Sequence, residues 1–166
     1  MVYLLTGCKG KRDLLEEVRK VSNIARFTSV RQPQPLGDGH AILCAKHILE
    51  GEPFAVLFGD DIVDHEVPAL KQLMDVYEKT GSSVLALEKI LRHQSSSYGM
   101  VEVGESDGRI HKISGLVEKP NPDDAPSDLG IIGKYIVTPE VLDALETSYA
   151  GHGDGEIRLI DGLTKL

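Results

Sequence analysis

The chain has 166 residues, of which 41% are hydrophobic and 27% charged, a composition typical of one globular domain. Its 18 Lys and Arg residues against 26 Asp and Glu residues give a formal net charge of -8, which disfavours nucleic acids and anionic membranes as partners. The 2 cysteines make no disulfide framework, and no apolar run approaches the ~20 residues of a membrane span, so we expect a soluble, cytoplasmic protein. Since the chain is acidic, we also expect that it holds a small anionic ligand through a metal ion.

The N-terminal half alternates between short apolar runs, typical of strands, and helical spacing of apolar residues. We predict strands at 2–5, Phe27–Arg31, Phe54–Phe58 and Ser83–Leu87, and helices at Asp13–Ser22, Ala41–Leu49 and Pro68–Lys79. Phe54–Phe58 is apolar on both faces, as expected of a central parallel strand that helices cover on each side. This alternation indicates an open α/β sheet.

In the C-terminal half, turn residues rather than helices separate the predicted strands Tyr98–Val103, Ile110–Glu118 and Ile131–Val137, which favours a partly antiparallel extension of the sheet. A helix is predicted over Thr138–Tyr149, and another begins at Glu156 without a C-terminal cap. Both ends of the chain therefore look cut. With no repeat and no linker, we predict one partial domain over residues 1–166.

Asp60 and Asp61 follow the most apolar predicted strand. In open α/β sheets, ligands bind outside the carboxyl ends of the strands, and carboxylate oxygens suit Mg²⁺. A solvated turn explains the same residues equally well.

The segment Pro35–His40 leads from a predicted strand into a helix, where glycine lets a ligand approach the backbone. Upstream of it, Gln32 carries a carboxamide that complements the edge of a pyrimidine. Taken alone, a Gly-x-Gly segment is more often a plain turn.

Glu118 and Lys119 close another predicted strand, and Pro120 favours an extended backbone at Lys119. An ammonium there would bind a phosphate, and a carboxylate would accept hydrogen bonds from sugar hydroxyls. Gly99 offers access to the backbone at the start of a strand. Such Glu-Lys pairs are more often solvated surface.

Six segments occur in an order that resembles the bacterial UTP:glucose-1-phosphate uridylyltransferases. They are Arg31-Gln32, Pro35 to Ala41, Phe54 to Asp61, Tyr98-Gly99, Val117 to Pro120 and Ile131 to Tyr135. The resemblance implies a Rossmann-like nucleotide-diphospho-sugar transferase fold, with a mixed central sheet and helices on both faces. It also implies transfer of uridylyl from UTP to glucose 1-phosphate, which gives UDP-glucose and pyrophosphate without a covalent enzyme intermediate.

By the matching motifs, the resemblance implies that Gln32 and the backbone at Leu36 and Gly37 read uracil. It further implies that Asp60 holds the catalytic Mg²⁺, with Asp61 beside it at the substrate.

Gly99 and Glu118 would contact the glucose, and Lys119 would hold the sugar phosphate as a catalytic residue. Asp128 would place an anion near the sugar, where the family usually has a neutral amide. The hypothesis requires that the carboxylate of Asp60 and the ammonium of Lys119 converge on one cavity.

The sequence lacks the family's N-terminal glycine-rich loop with its arginine, and also a C-terminal aspartate, so we expect weak or no transferase activity from this chain alone. Two alternatives remain: a non-catalytic UDP-sugar-binding remnant, and a transferase that uses dTTP, which the pattern at Gln32 and Gly37 disfavours. An exposed sheet edge would favour association of the chain with itself as a homo-oligomer.

Overall fold

The computed structural model describes residues 12–49, 51–148 and 155–166, and the chain divides into two units, one ending at Arg31 and the other spanning Gln32–Leu166. In the first unit, helix α1 covers Arg12–Ser22, as predicted. An acidic residue in its first turn and basic residues in its last turn complement the helix dipole. The strand predicted at 2–5 lies outside the described residues.

The strand predicted at Phe27–Arg31 is wrong, because this segment has no regular secondary structure. Phe27 is 71% exposed, and no strand of the described sheet pairs with the segment. Apolar and β-branched residues favour a strand only where a neighbour supplies the ladder of hydrogen bonds. Among the described residues, these find no such neighbour.

The helices of the second unit are mostly short. They are α2 (Asp38–Cys44), α3 (Lys46–Leu49), α4 (Ala69–Thr80), α5 (Glu140–Ser148) and α6 (Leu159–Leu163), with 3₁₀ segments at Arg92–Ser97 and Pro122–Asp124. The single helix predicted over Ala41–Leu49 is therefore two helices, divided at Ala45. None of the described helices is long and apolar enough to cross a bilayer.

Strand β5 lies at the centre of a five-stranded sheet. The strands are β1 (Phe54–Leu57), β2 (Val84–Lys89), β3 (Gly99–Asp107), β4 (Ile110–Glu118) and β5 (Leu129–Val137). β2 pairs along one edge of β5, β1 and β3 pair with the other edge, and β4 pairs with β3. The buried residues of β5 reflect this central position.

The expected parallel pairing of Phe54–Phe58 is not found among the described strands, where every pair is antiparallel. β1 and β2 do run in the same direction, since both are antiparallel to β5, and α4 connects them. β5, however, lies between them, so β1 and β2 each pair with β5 and not with each other. β1 also alternates in burial, with Leu57 half exposed, and is not covered on both faces.

The core lies where α5 and α6 pack together and against the sheet. Its most deeply buried members share exposures of 2% or less and are Val101, Val137, Val141, Leu145, Ile157 and Leu159. Helix α2 packs against both helices. The core thus fixes the loop before α2 and the start of α6 beside the sheet.

Leu145→Ala should lower the free energy of unfolding by about 2–5 kcal/mol, because its fully buried side chain would leave a cavity under α6. Leu91→Ala is the control, since Leu91 is 64% exposed and its truncation should change stability by less than ~0.5 kcal/mol. Urea denaturation measures both values. Equal values for the two variants would contradict this account of the core.

Candidate functional site

An open cavity of about 390 Å³ lies where β1 ends, β3 begins and β4 ends. Five residues predicted from the sequence line it, and they are Asp60, Asp61, Gly99, Glu118 and Lys119. The structure thus brings the carboxylate of Asp60 and the ammonium of Lys119 to one cavity, as the sequence hypothesis requires. Gln32, Leu36, Gly37 and Asp128 are not among the residues that line it.

The turn that carries Asp60 and Asp61 is held against β5 by three hydrogen bonds, and a fourth within β5 helps to orient the lysine that makes one of them. Phe58 N–H donates to Gly133 O, and Gly133 N–H donates to Asp61 Oδ2, each over 2.7 Å. The ammonium of Lys134, a residue only 8% exposed, donates to Phe58 O at 2.7 Å and to Gly133 O at 3.3 Å. One carboxylate oxygen of Asp61 is therefore used in a hydrogen bond to β5, whereas Asp60 is exposed on the cavity wall.

Gly133 allows this close approach of the turn to β5. A Cβ at this position would lie 2.5 Å from both Asp61 Oδ2 and Phe58 Cβ, so one of them would have to move. Gly133 and Lys134 belong to a segment of the family resemblance, but the sequence assigned them no role at the site, because their roles depend on contacts with a segment more than 70 residues away.

Tyr135 lines the cavity from β5 and was not predicted as a site residue. Its ring meets that of Phe58 edge to face, with centroids 5.8 Å apart and planes at 61°. Burial raises the pKa of Tyr135 well above its usual range, and the charges of Asp38, Glu118 and Asp61 raise it further. This phenol is therefore neutral at physiological pH.

The sugar-binding residues predicted from the sequence lie opposite each other on paired strands. Gly99 on β3 is the register partner of Glu118 on β4. A Cβ on Gly99 would approach Glu118 Oε2 to 3.2 Å and Ile160 Cδ1 to 3.0 Å. The absence of a side chain at Gly99 therefore leaves the Glu118 carboxylate room beside the cavity.

Lys119 has a backbone that the sequence did not predict. Its φ is +45°, in the left-handed region, so the extended conformation expected before Pro120 is wrong. Its N–H donates to Tyr98 O over 3.1 Å, which fixes the peptide in this turn. The ammonium lies 3.5 Å from Glu118 Oε1, and its side chain is 58% exposed.

The loop that contains Gln32, Leu36 and Gly37 is ordered by its own hydrogen bonds. Gln32 Nε2 donates to Gly37 O at 2.9 Å and lies 3.0 Å from His40 Nδ1. The Leu36 N–H donates to Gln34 O, and the Leu36 carbonyl accepts from the N–H of Ile157, which precedes α6. The Leu36 N–H is therefore already used, whereas the Gly37 N–H takes part in no hydrogen bond among the described residues.

Asp38 connects this loop to the cavity and was missed by sequence reasoning. Its Oδ1 accepts from the N–H groups of Gly39, at 2.8 Å, and Leu159, at 3.0 Å. Gly37 has a φ of +93°, and a side chain there would overlap the carbonyl of Ile157. The loop is therefore joined to the start of α6 by both a carboxylate and a glycine.

The structure does not bring Asp128 to the cavity, contrary to the expectation of an anion near the sugar. Its Oδ2 lies 3.0 Å from Lys89 Nζ, and this hydrogen bond is the main cause that lowers the pKa of Asp128. Register explains the difference, since Lys89 pairs with Leu129, the next residue along the chain. Asp128 is half exposed and serves this surface ion pair.

Negative charge dominates the cavity wall. Its carboxylates are those of Asp38, Asp60, Asp61, Glu118 and Glu156, and its cations are those of Lys119 and Arg158. Arg158 in turn lies 2.9 Å from Glu156. A ligand with several phosphate charges would meet repulsion here unless a divalent cation accompanied it.

The donor set fits a Mg²⁺ ion that is shared with a ligand. Mg²⁺ takes one or two protein carboxylates and completes its shell with water and phosphate oxygens. Asp60 offers such a carboxylate, exposed on the wall. Within the described ranges, no group of three or more His, Cys, Asp or Glu residues could hold a metal through the protein alone.

Comparison with known proteins identifies the family. The nucleotidyl transferase family model matches residues 5–166. The chain belongs to this family. It is 47% identical over 158 residues to the UTP–glucose-1-phosphate uridylyltransferase of Bacillus subtilis (strain 168), covering 95% of this chain and 54% of that protein. It is 46% identical, with the same coverage, to the uridylyltransferase of that name from Staphylococcus haemolyticus (strain JCSC1435).

Solved structures extend the comparison to the fold. The chain is similar to a UDP-glucose pyrophosphorylase complexed with UDP-glucose, with a TM-score of 0.85 and 35% identity over 95% of this chain and 60% of that one. The nucleotidyltransferase fold predicted from the sequence is therefore confirmed, as is the resemblance to the uridylyltransferases. The chain spans about half the length of the curated relatives that it matches.

Gly133→Ala should lower the free energy of unfolding by about 1–3 kcal/mol, because a methyl group would overlap Asp61 and Phe58. Gly59→Ala is the matched control, since nothing lies within 4 Å of a Cβ there. Thermal and urea unfolding measure the difference. A Gly133 variant as stable as the Gly59 variant would disprove the close approach of the turn to β5.

The stability of the protein should decrease as the pH rises above ~10, since tyrosine ionises near that pH in the unfolded chain and remains protonated at Tyr135 in the folded one. Tyr135→Phe removes this difference and should make the decline shallower. Urea unfolding from pH 8 to pH 11 measures it, with Tyr77→Phe on α4 as control. If the Tyr135 variant declined as steeply as the control, the account would be wrong.

Proposed function

We propose that this chain forms the nucleotide-sugar site of an enzyme that converts UTP and glucose 1-phosphate into UDP-glucose and pyrophosphate. The observation that carries the proposal is the meeting of Asp60, Gly99, Glu118 and Lys119 on one cavity. The names of the relatives support the same substrates. We further propose that residues 1–166 belong to one partial nucleotidyltransferase domain.

The sugar end of the ligand would lie against β3 and β4. Glu118 would accept hydrogen bonds from glucose hydroxyls, and Gly99 would let the ring approach the backbone. The ammonium of Lys119 would bind the sugar phosphate as a point charge and, in doing so, would leave its 3.5 Å contact with Glu118. These residues would orient a phosphate oxygen of glucose 1-phosphate for in-line attack on the α-phosphorus of UTP.

The chemistry requires positioning and charge compensation rather than a nucleophile on the protein. The bond from the α-phosphorus to the bridging oxygen breaks, and pyrophosphate leaves with the electron pair. Asp60 would hold Mg²⁺, which when bound neutralises phosphate charge. Asp61, whose Oδ2 is bonded to Gly133, would contribute charge to the substrate-binding wall and fix the turn.

The base would be read by the loop before α2. Both N–H groups of the Gln32 carboxamide already face acceptors, Gly37 O and His40 Nδ1, so its oxygen is the group left to accept from uracil N3–H. The N–H of Gly37 would donate to a base carbonyl. For Leu36, whose N–H and carbonyl are both used, we propose only an apolar contact with the base.

A second candidate function is binding of a UDP-sugar without turnover. It is favoured by the excess of carboxylates over cations around the cavity, which leaves the charge of a triphosphate poorly compensated. For either function, we propose weak or no transferase activity from these 166 residues alone.

We also propose a cytoplasmic location, where UTP is available. We propose no nucleic-acid or membrane partner, and we propose that the chain associates with itself.

Calorimetry with UDP-glucose should show binding that depends on Mg²⁺ and is weakened about 10- to 100-fold in Lys119→Ala, the range expected for loss of a charged hydrogen bond. Lys112→Ala is the control, since Lys112 is an exposed lysine on β4, the strand that precedes Lys119, and this variant should bind as the unmodified chain does. A pyrophosphate-release assay with UTP and glucose 1-phosphate measures turnover.

Turnover that Lys119→Ala reduces would support the transferase. Binding without turnover, again lost in Lys119→Ala, would support the second candidate. If the unmodified chain bound no UDP-glucose, or if Lys119→Ala and Lys112→Ala behaved alike, both candidates would be wrong.

A further inference from the structure

The 3₁₀ segment Arg92–Ser97 runs beside the chain that follows Lys119 and contacts it through hydrogen bonds to backbone carbonyls. The hydroxyl of Ser95 donates to Pro120 O over 3.1 Å. One turn later, Tyr98 O accepts from Lys119 N–H, also over 3.1 Å. These two hydrogen bonds hold the peptide units on either side of the Lys119-Pro120 bond, one through the Lys119 N–H and the other through the Pro120 carbonyl.

This grip coincides with backbone strain. Lys119 is the non-glycine residue with positive φ in the described part of the chain, at +45°. A side chain in the left-handed region is unfavourable by itself, and it persists where surrounding contacts fix the backbone. Pro120 favours an extended backbone with negative φ at the residue before it, so it adds to the cost of this turn.

Ser95 is suited to restrain the backbone directly after the strained Lys119, because it is completely buried and its hydroxyl donates to the Pro120 carbonyl. The neighbouring Ser96 and Ser97 are exposed. Removal of the Ser95 hydroxyl would leave the carbonyl of Pro120 without this donor in a buried position, which weakens the restraint on the peptide.

Arg92 extends the same grip along the chain. Its Nε donates to Pro122 O at 2.8 Å, and its Nη2 donates to Asp123 O at 3.2 Å and to Ala125 O at 3.4 Å. The guanidinium is exposed, so its effect comes from the fixed, planar arrangement of its N–H donors rather than from burial. The segment from Lys119 to Ala125 is therefore held at five points by Arg92, Ser95 and Tyr98.

We propose that Ser95 is a positioning residue, whose buried hydroxyl holds the Pro120 carbonyl and so fixes the strained backbone turn at Lys119, which directs the ammonium of Lys119 to the cavity. The inference rests on the proposed function, in which that ammonium binds the sugar phosphate. Ser95 touches no ligand itself and acts only through Lys119. Arg92 supports the same segment from its far end.

Ser95→Ala should weaken binding of UDP-glucose in the presence of Mg²⁺ by about fivefold, roughly the factor that corresponds to one net hydrogen bond. Ser96→Ala, the matched control, should leave the affinity unchanged. Calorimetry at 25 °C measures both on folded protein. A purely structural role for Ser95 would lower the melting temperature and leave this affinity intact.

A double-mutant cycle with Lys119→Ala separates the inference from the proposed function. In the Lys119→Ala background, Ser95→Ala should have no further effect on affinity. If Lys119→Ala weakened binding and Ser95→Ala did not, the inference would be wrong and the proposed function would stand. If neither variant, or not even the unmodified chain, gave measurable binding, the proposed function and the inference would fall together.

Arg92→Ala keeps the proposal testable if Ser95→Ala does not fold, since the exposed guanidinium is not part of the core. It should reduce the affinity about two- to threefold, less than the loss of the direct bond to Pro120, because it releases only the outer part of the segment. The control is Arg109→Ala, an exposed arginine that bonds to Gln72. Equal affinities of these two variants would overturn the proposed grip.

Discussion

The geometry of the site depends on a buried ammonium. Burial of a charged group is unfavourable unless hydrogen bonds replace its water, and Lys134 meets this requirement with the carbonyls of Phe58 and Gly133. Phe58 directly follows β1, and Gly133 lies in the middle of β5. The lysine therefore joins the turn that carries Asp60 to the central strand, and movement of the turn away from β5 would remove its 2.7 Å hydrogen bond to Phe58.

The part of the cavity wall that carries Lys119 uses the same kind of interaction. There the hydroxyl of Ser95 binds the carbonyl of Pro120, as the ammonium of Lys134 binds that of Phe58. In both places a buried donor on one segment binds a carbonyl one or two residues after the end of a strand, and a charged residue of the cavity lies within two residues of that carbonyl. Hydrogen bonds of this kind restrain backbone more directly than side-chain packing does, since the carbonyl is part of the chain itself.

Local periodicity predicted α1, α4 and β4 correctly, because their apolar spacing is decided within a few residues. It failed where a distant partner decides, as at Phe27–Arg31 and in the antiparallel pairing of β1. The candidate site was predictable at strand ends, where Asp60 and Gly99 lie. It was not predictable for Asp128, which pairs across strands with Lys89, nor for the backbone of Lys119, which hydrogen bonds force into the left-handed region.

The charge of the cavity explains why such close control of two side chains is needed. With carboxylates in excess, the wall repels phosphates at most approaches, and the same field, added to burial, keeps the phenol of Tyr135 protonated. An anion can be held only where a cation is brought within a few ångströms, since attraction between unit charges falls with distance and with solvent screening. Lys119 and a metal ion at Asp60 would supply that attraction from two sides. A misplaced ammonium would leave the repulsion of the wall uncompensated, so the position of Lys119 matters as much as its charge.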